Sequence, residues 1–223
     1  MKLKLTLSLL LLAAAGYLSA QDFMLPKEGF FPGTLHYKNG TVRNVFVSAP
    51  KKVRQGSIIF RADKNSKKEK VSSSLLDSIS ITPTPGITHY FDHMPWCFKK
   101  GGNPKKAIWF YVTVRGYATL YLWYETFIIY KRGKASTVSY TTGGSGVVYT
   151  YMLRKKNEKT AVYFVQVPSH TIAIGFNAAL KKAATTFLSE DKDLLDKINK
   201  KQLQNENLEE ILTIYNNYME DRK

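Results

Sequence analysis

A single cysteine, Cys97, stands in the 223 residues, so no internal disulfide can form and stability must come from packing. Between Trp96 and Phe98 that thiol reads as a small buried hydrophobe rather than a nucleophile. Carboxylates are scarce over most of the chain: residues 21–170 carry 23 basic and 8 acidic side chains, a balance of +15. Residues 171–223 carry 8 basic and 9 acidic ones, a balance of −1, so the basicity belongs to the first part alone. No cofactor fingerprint and no order of residues resembling a catalytic triad is present, and the Gly143-Gly144-Ser145-Gly146 run lacks the lysine that a phosphate-binding loop needs. It reads as a turn, and no cofactor is expected.

A long apolar run uninterrupted by charge is also missing after the first 20 residues. The densest stretch, Ala107 to Tyr130 (AIWFYVTVRGYATLYLWYETFIIY), would be long enough to span a bilayer, but Arg115, Gly116 and Glu125 interrupt it. Its β-branched and aromatic residues predict a buried antiparallel strand pair. With period two, Ile108, Phe110, Val112 and Val114 point one way and Trp109, Tyr111, Thr113 and Arg115 the other; Ala118, Leu120, Leu122 and Tyr124 then alternate with Thr119, Tyr121, Trp123 and Glu125. One side of the pair is aliphatic and the other aromatic with polar tips, to be covered by another layer of the same protein.

The first 20 residues read as an export signal: Lys2 and Lys4, an apolar run from Leu5 to Ala15, and Ser19-Ala20 before a cut at Gln21. No cysteine follows the run, which argues against a lipid anchor, and no transmembrane segment is expected once the signal is removed. The protein is therefore expected to be exported: periplasmic, outer-membrane-associated or secreted.

Strand signals fill the next 150 residues. GTLHYK, Asn39-Gly40 and TVRNVFVS predict a hairpin, because Asn-Gly tolerates the positive φ of a two-residue turn. SIIFR (Ser57 to Arg61), a strand ending in SISI, and strands over residues 135–142, 146–154 and 160–167 follow, with Lys155 to Lys159 as a charged hairpin tip. Beyond Pro168 the period becomes helical. Residues 175–188 carry Phe176, Ala179, Leu180, Ala183, Ala184 and Phe187 on one face; Ser189 is placed to cap a second helix striped by Leu194, Leu195 and Ile198. A third starts near Asn207, which with Glu210 makes a variant capping box. The expected fold is α+β: an antiparallel β-rich body over residues 21–170, as a meander, sandwich or barrel, and an α-helical subdomain over residues 171–223.

Candidate sites come from charge and from irregularity. Lys51, Lys52, Arg54, Lys67, Lys68 and Lys70 cluster in the basic β part and predict contacts to an anionic partner, attracted over about a Debye length and weakened by salt. The leading expectation is a non-enzymatic envelope module that binds an anionic glycan or lipid, lipopolysaccharide among them, or another envelope protein; nucleic acid is disfavoured by the compartment. Residues 87–106, the least regular part, are the expected functional loop of an alternative hydrolase or metal-dependent enzyme, since His89 and His93 would share a face on a helix beside Asp92. Met94-Pro95 argues against such a helix and no third ligand is evident, so no metal is assigned. A third alternative is an assembly component that pairs through its C-terminal helices.

Two stretches carry a resemblance. GTLHYKNGTVRNVFV, GSIIFRA and DSISI, with FLSEDKDLLDKINKK and LEEILTIYNNY at the C-terminus, resemble exported Bacteroidetes-type proteins of uncharacterised function. The likeness covers under half of the chain and its motifs are structural. It implies N-terminal β hairpins and a helical tail, and carries over no catalytic or binding residue.

Overall fold

The computed structural model of the chain describes residues 29–132, 135–141, 148–168, 176–204 and 207–222. The expected signal and the Gly143–Gly146 turn lie outside them. The fold is α+β: one mostly antiparallel ten-stranded sheet, a separate two-stranded hairpin, and three C-terminal helices.

The first five strands, β1 (Phe31–Tyr37), β2 (Val42–Val47), β3 (Ser57–Arg61), β4 (Glu69–Ser72) and β5 (Leu76–Thr84), run as a meander whose last member returns to pair with β1, giving the order β5-β1-β2-β3-β4. The predicted hairpin turn is present, with Gly40 at a φ of 84°, which only a residue without Cβ adopts freely. Alternation buries Leu35, Val45, Val47, Ile58, Phe60, Ile79 and Ile81 on one face.

Residues 87–106, the expected functional loop, are mostly strand, with a connection of only residues 98–104. Ile87–Cys97 is β6, an 11-residue strand, and Lys105–Val114 is β7. The prolines and polar residues that obscured the pattern are absorbed by a bulge between Met94 and Trp96, where Pro95 has no N–H to contribute. At that bulge β6 changes partner along one edge: residues up to Asp92 pair with β5, whereas Trp96 and Cys97 pair in parallel with Ala161 and Val162 of β12 (Ala161–Pro168). Since β6, β7, β8 (Ala118–Trp123), β11 (Val148–Lys155) and β12 are also neighbours in the opposite sense, this pairing closes a five-stranded barrel. The remaining strands, β9 (Thr126–Arg132) and β10 (Ala135–Thr141), form their own hairpin between β8 and β11. The dense run from Ala107 is thus a strand pair, β7 with β8, but it ends at Trp123, and its last residues belong to the inserted hairpin.

Both faces of the pair are covered. Register places Asp92, Phe110, Tyr121 and Met152 on one side, and this side is the barrel interior, because the opposite side carries Leu120, Leu153 and Val162 against the helices. The aromatic side of β7 lies under the first five strands: Trp109 is fully buried, its N–H bonds the Val53 carbonyl at 2.8 Å and its indole Nε1 donates to Ser73 Oγ at 2.9 Å.

The helices α1 (Phe176–Phe187), α2 (Lys192–Asn199) and α3 (Leu208–Glu220) dock on their own sheet, burying Leu180, Ala184, Phe187, Ile211, Leu212 and Tyr215. The α2 cap is Asp191 rather than Ser189: its carboxylate accepts the Leu194 N–H at 2.9 Å, a charged acceptor suited to a helix N-terminus. Asn207 does start α3, but its amide donates to the Glu210 side chain at 3.2 Å and makes no side-chain cap bond to the helix backbone. Buried Asn216 fastens α3 to the barrel, accepting the Ala118 N–H at 2.7 Å and donating to the Ala118 carbonyl at 3.0 Å. Gly116 makes room for it, since a Cβ there would sit 2.3 Å from Asn216 Nδ2. Among the described residues no helix is long and apolar enough to cross a membrane.

Candidate functional site

The six basic residues singled out in the sequence are all exposed, but the fold separates them. Lys51, Lys52 and Arg54 share the turn between β2 and β3, which Gln55 braces by accepting the Lys51 N–H at 2.9 Å and donating to the Ser57 carbonyl at 2.9 Å. Lys67 and Lys68 stand in the connection at the other end of the β3–β4 hairpin, about 15 Å away at about 3.3 Å per strand residue. There the Lys68 ammonium lies over the Phe30 ring, 5.6 Å from its centre, beside Arg61 at 4.8 Å. Lys70 is midway, opposite Ile59. One extended strip replaces the single cluster.

Only Arg54 of the six lines the cleft that the fold assembles at its own end of the hairpin. This hollow of 570 Å³ lies between the turns after β1, β2 and β4 and the adjoining parts of β6 and β7. Lys38, Arg54, Lys105 and Lys106 come to it from two turns and a strand start, His93 and Trp96 form part of its wall, Ser72, Ser73 and Ser74 contribute hydroxyls, and among the described residues no carboxylate lines it. A hollow of 410 Å³ beside Gly33, Asn44 and Ser80 has no charged lining residue, and one of 370 Å³ sets Glu190, Asp191 and Asp193 against Lys192 and Arg222. Neither has the unopposed positive charge of the cleft.

Its floor is tied to the core. Ser73 Oγ donates to the Gln55 carbonyl at 2.6 Å and accepts from the buried Trp109 indole, and Ser73 N–H bonds the Gly56 carbonyl at 3.0 Å. Ser72 and Ser74 bond each other at 2.8 Å. Lys105 reaches over two aromatic rings, 5.7 Å from the centre of Trp96 and 5.6 Å from that of Phe98, favourable positions for an ammonium against ring π-density. The fold fixes the backbone positions from which these cations reach the hollow, and so concentrates positive potential there.

His93 is the least satisfied group of the site. It is 9% exposed, its ring centre lies 4.9 Å from that of Trp109, and its Nδ1 is buried without a hydrogen-bond partner. Burial, with the Lys38 charge in addition, holds its pKa down at about 4, against opposing contributions from the Leu76 and Ala107 backbone and Asp77. At neutral pH the positive field of the cleft therefore comes from its lysines and arginine. The unfolded ring titrates near its ordinary 6.5 and so takes up a proton first as pH falls. This contribution to stability is whole above pH 6.5 and is lost as pH falls through about 4. Allowing for solvent screening at the cleft, about 2 kcal/mol is expected to disappear. His93→Phe is expected to flatten that part of the profile; urea midpoints from pH 7 to 4 that decline equally in both proteins would contradict it.

His89 and His93, to which no metal is assigned from the sequence, do not form a metal pair in the structure. Both rings lie on the same face of β6, but four residues of strand separate their backbones by about 13 Å, too far to share one ion. His89 instead has Nδ1 3.1 Å from the Tyr111 hydroxyl, and burial lowers its pKa. Among the described residues no three His, Cys, Asp or Glu side chains gather as a metal site would require. Cys97 is buried, its Sγ 3.0 Å from the Lys99 carbonyl oxygen.

Asp92 points away from the cleft, into the barrel. It is 4% exposed, accepts the Tyr121 hydroxyl at 2.9 Å and Arg115 Nη2 at 2.8 Å, and has Arg154 Nη2 at 3.6 Å, while Arg154 Nε has no acceptor. Burial, with the neighbouring carboxylate in addition, pushes the Tyr121 phenol well above its ordinary range.

Sequence reasoning set His93, Lys105 and Lys106 within the expected functional loop over residues 87–106 but did not join them to Lys38 and Arg54, which come from segments far away in the chain. Lone charged residues within apolar strand patterns, Asp92, Arg115 and Arg154, were the available signal for the barrel network. The chain matches no protein-family model, no curated protein and no solved structure.

Proposed function

We propose that this chain is an exported, non-catalytic binding module that takes an anionic group of an envelope glycan, such as the phosphorylated or acidic sugars of lipopolysaccharide, in the basic cleft. The observation that carries this reading is the convergence of Lys38, Arg54, Lys105 and Lys106 around one hollow that no carboxylate lines among the described residues. The Ser72–Ser74 pair uses one of its two hydroxyl protons between the two residues, which leaves one donor beside those cations for a phosphate or carboxylate oxygen.

Binding is favoured over catalysis by the way the polar groups are engaged. Ser73 is occupied by Gln55 and Trp109, Ser72 and Ser74 are paired with each other, and no serine hydroxyl reaches His93 Nδ1. A nucleophile needs a base within hydrogen-bond reach, and none of these serines has His93 Nδ1 in that role.

The test is binding of the purified protein to immobilised lipopolysaccharide across a salt series. The triple variant Arg54→Gln, Lys105→Gln, Lys106→Gln is expected to bind at least about tenfold more weakly at low salt and to lose most of the salt dependence. Neutralising Lys67 and Lys68, at the far end of the hairpin, is expected to change affinity less. Equal binding by the triple variant and the parent would remove the cleft from consideration.

A further inference from the structure

We infer that the cleft has a second part: Phe98 is a platform for a pyranose ring, so the ligand is an anionic sugar and not a bare anion. The inference rests on the cleft's being an anion site and adds what the anion is attached to. Phe98 follows β6 and is 58% exposed, one of five large apolar side chains left in solvent among the described residues. Its neighbours show that it is held in place. Its ring stands T-shaped to Trp96, with centres 4.8 Å apart, and Trp96 is in turn T-shaped to Trp123 at 4.5 Å.

Trp96 and Lys105 connect this platform to the anion site. Both line the cleft, and the Lys105 ammonium lies almost equally far from the Trp96 and Phe98 rings. An anion bound by Lys105 thus sits beside the exposed Phe98 ring, whose centre is 5.6 Å from the ammonium. The apolar C–H face of a pyranose packs on such a ring, while its hydroxyls stay in water or reach the serines across the cleft. Inorganic phosphate would leave the platform uncovered, and a neutral sugar would leave the cations unanswered. An acyl chain would cover the ring but brings no hydroxyls to the serines across the cleft. A ligand that combines a charged group with a polyhydroxylated ring uses all three.

Three small probes separate this inference from the reading beneath it: inorganic phosphate, glucose 6-phosphate and glucose, each titrated into the full protein at low salt and followed by amide chemical shifts. Glucose 6-phosphate is expected to bind about five- to tenfold more tightly than inorganic phosphate, and Phe98→Ala to abolish that difference while lowering phosphate affinity by less than about twofold, because Trp96 still supports Lys105. Phe98→Trp is expected to restore it. The residue is exposed, so these variants are expected to keep the parent's unfolding midpoint, which is measured alongside. Equal affinity for phosphate and glucose 6-phosphate, unaffected by Phe98→Ala, would overturn the platform and leave the anion site standing. Absence of phosphate and sugar phosphate binding alike would overturn both.

Discussion

Asp92→Ala is expected to cost about 3–5 kcal/mol of unfolding free energy, because it leaves two guanidinium groups and a buried phenol in the barrel without their common acceptor. The net value of the intact network is smaller than this, since burying the carboxylate already carried a desolvation cost. Removing one partner exposes that cost unrepaid. The effect should be unequal around the network. Arg115 is about half exposed, and on losing Asp92 it can turn to water; Tyr121 is fully buried and cannot. Arg115→Ala is therefore expected to cost only about 1 kcal/mol, and Asp92→Asn, which retains an acceptor for Tyr121, about 2 kcal/mol. A domain of ordinary stability, about 5–15 kcal/mol, has little room for the alanine variant. Urea denaturation of the three variants checks the order. A loss below about 1 kcal/mol for Asp92→Ala would mean that the arginines and Tyr121 find other acceptors.

Trp109→Ala is the second change of that size, with about 3–5 kcal/mol expected from the cavity and the lost contacts. The indole is fully buried where the first five strands fold over β7, and it does two separable things. Its ring fills the space beneath His93, and its Nε1 holds Ser73, which in turn holds the Gln55 carbonyl at the cleft floor. Trp109→Phe retains most of the packing and removes only the donor, so a loss of about 1–2 kcal/mol is expected. The two variants are expected to differ in the near-ultraviolet dichroism of the remaining aromatics as well as in urea midpoint. If Phe and Ala were equally damaging, the hydrogen bond and not the volume would dominate.

Much of the architecture was legible because local signals were strong. Asn39-Gly40 marks its hairpin, the alternating run from Ala107 marks β7 and β8, and the 3.6-residue stripe of Leu208, Ile211, Leu212 and Tyr215 marks α3. Residues 87–106 were misread for a physical reason. β6 is buried on both faces, so the alternation that advertises a half-exposed strand is absent, and its polar residues look like loop residues until Asp92 and the two histidines are seen with their neighbours. Composition identified Arg54 but not its companions in the cleft. Net charge says that cations are in excess; which of them share a hollow depends on strand pairing, and pairing between distant segments leaves no local trace. Lys67 and Lys68 show the same limit from the other side, since they are close to Arg54 in sequence and at the opposite end of the hairpin in space.

The change of partner along one edge of β6 has a consequence for how the molecule assembles. Apart from the return of β5 to β1, the first five strands and the first half of β6 are bound by hairpin-like pairings of near neighbours in the chain. Closure of the barrel instead waits for positions 161 and 162 to find 96 and 97, with the whole of β7 to β11 held in the intervening loop. Contacts of that span are reached late and slowly, because the entropy of closing the loop is lost before the contact is gained. Until they form, β12 has no second neighbour and the helices have only part of the surface on which they dock. The first five strands, by contrast, complete most of their pairings from within, so the cleft's Lys38 and Arg54 turns can be in place while Lys105 and Lys106 still await the chain that follows them.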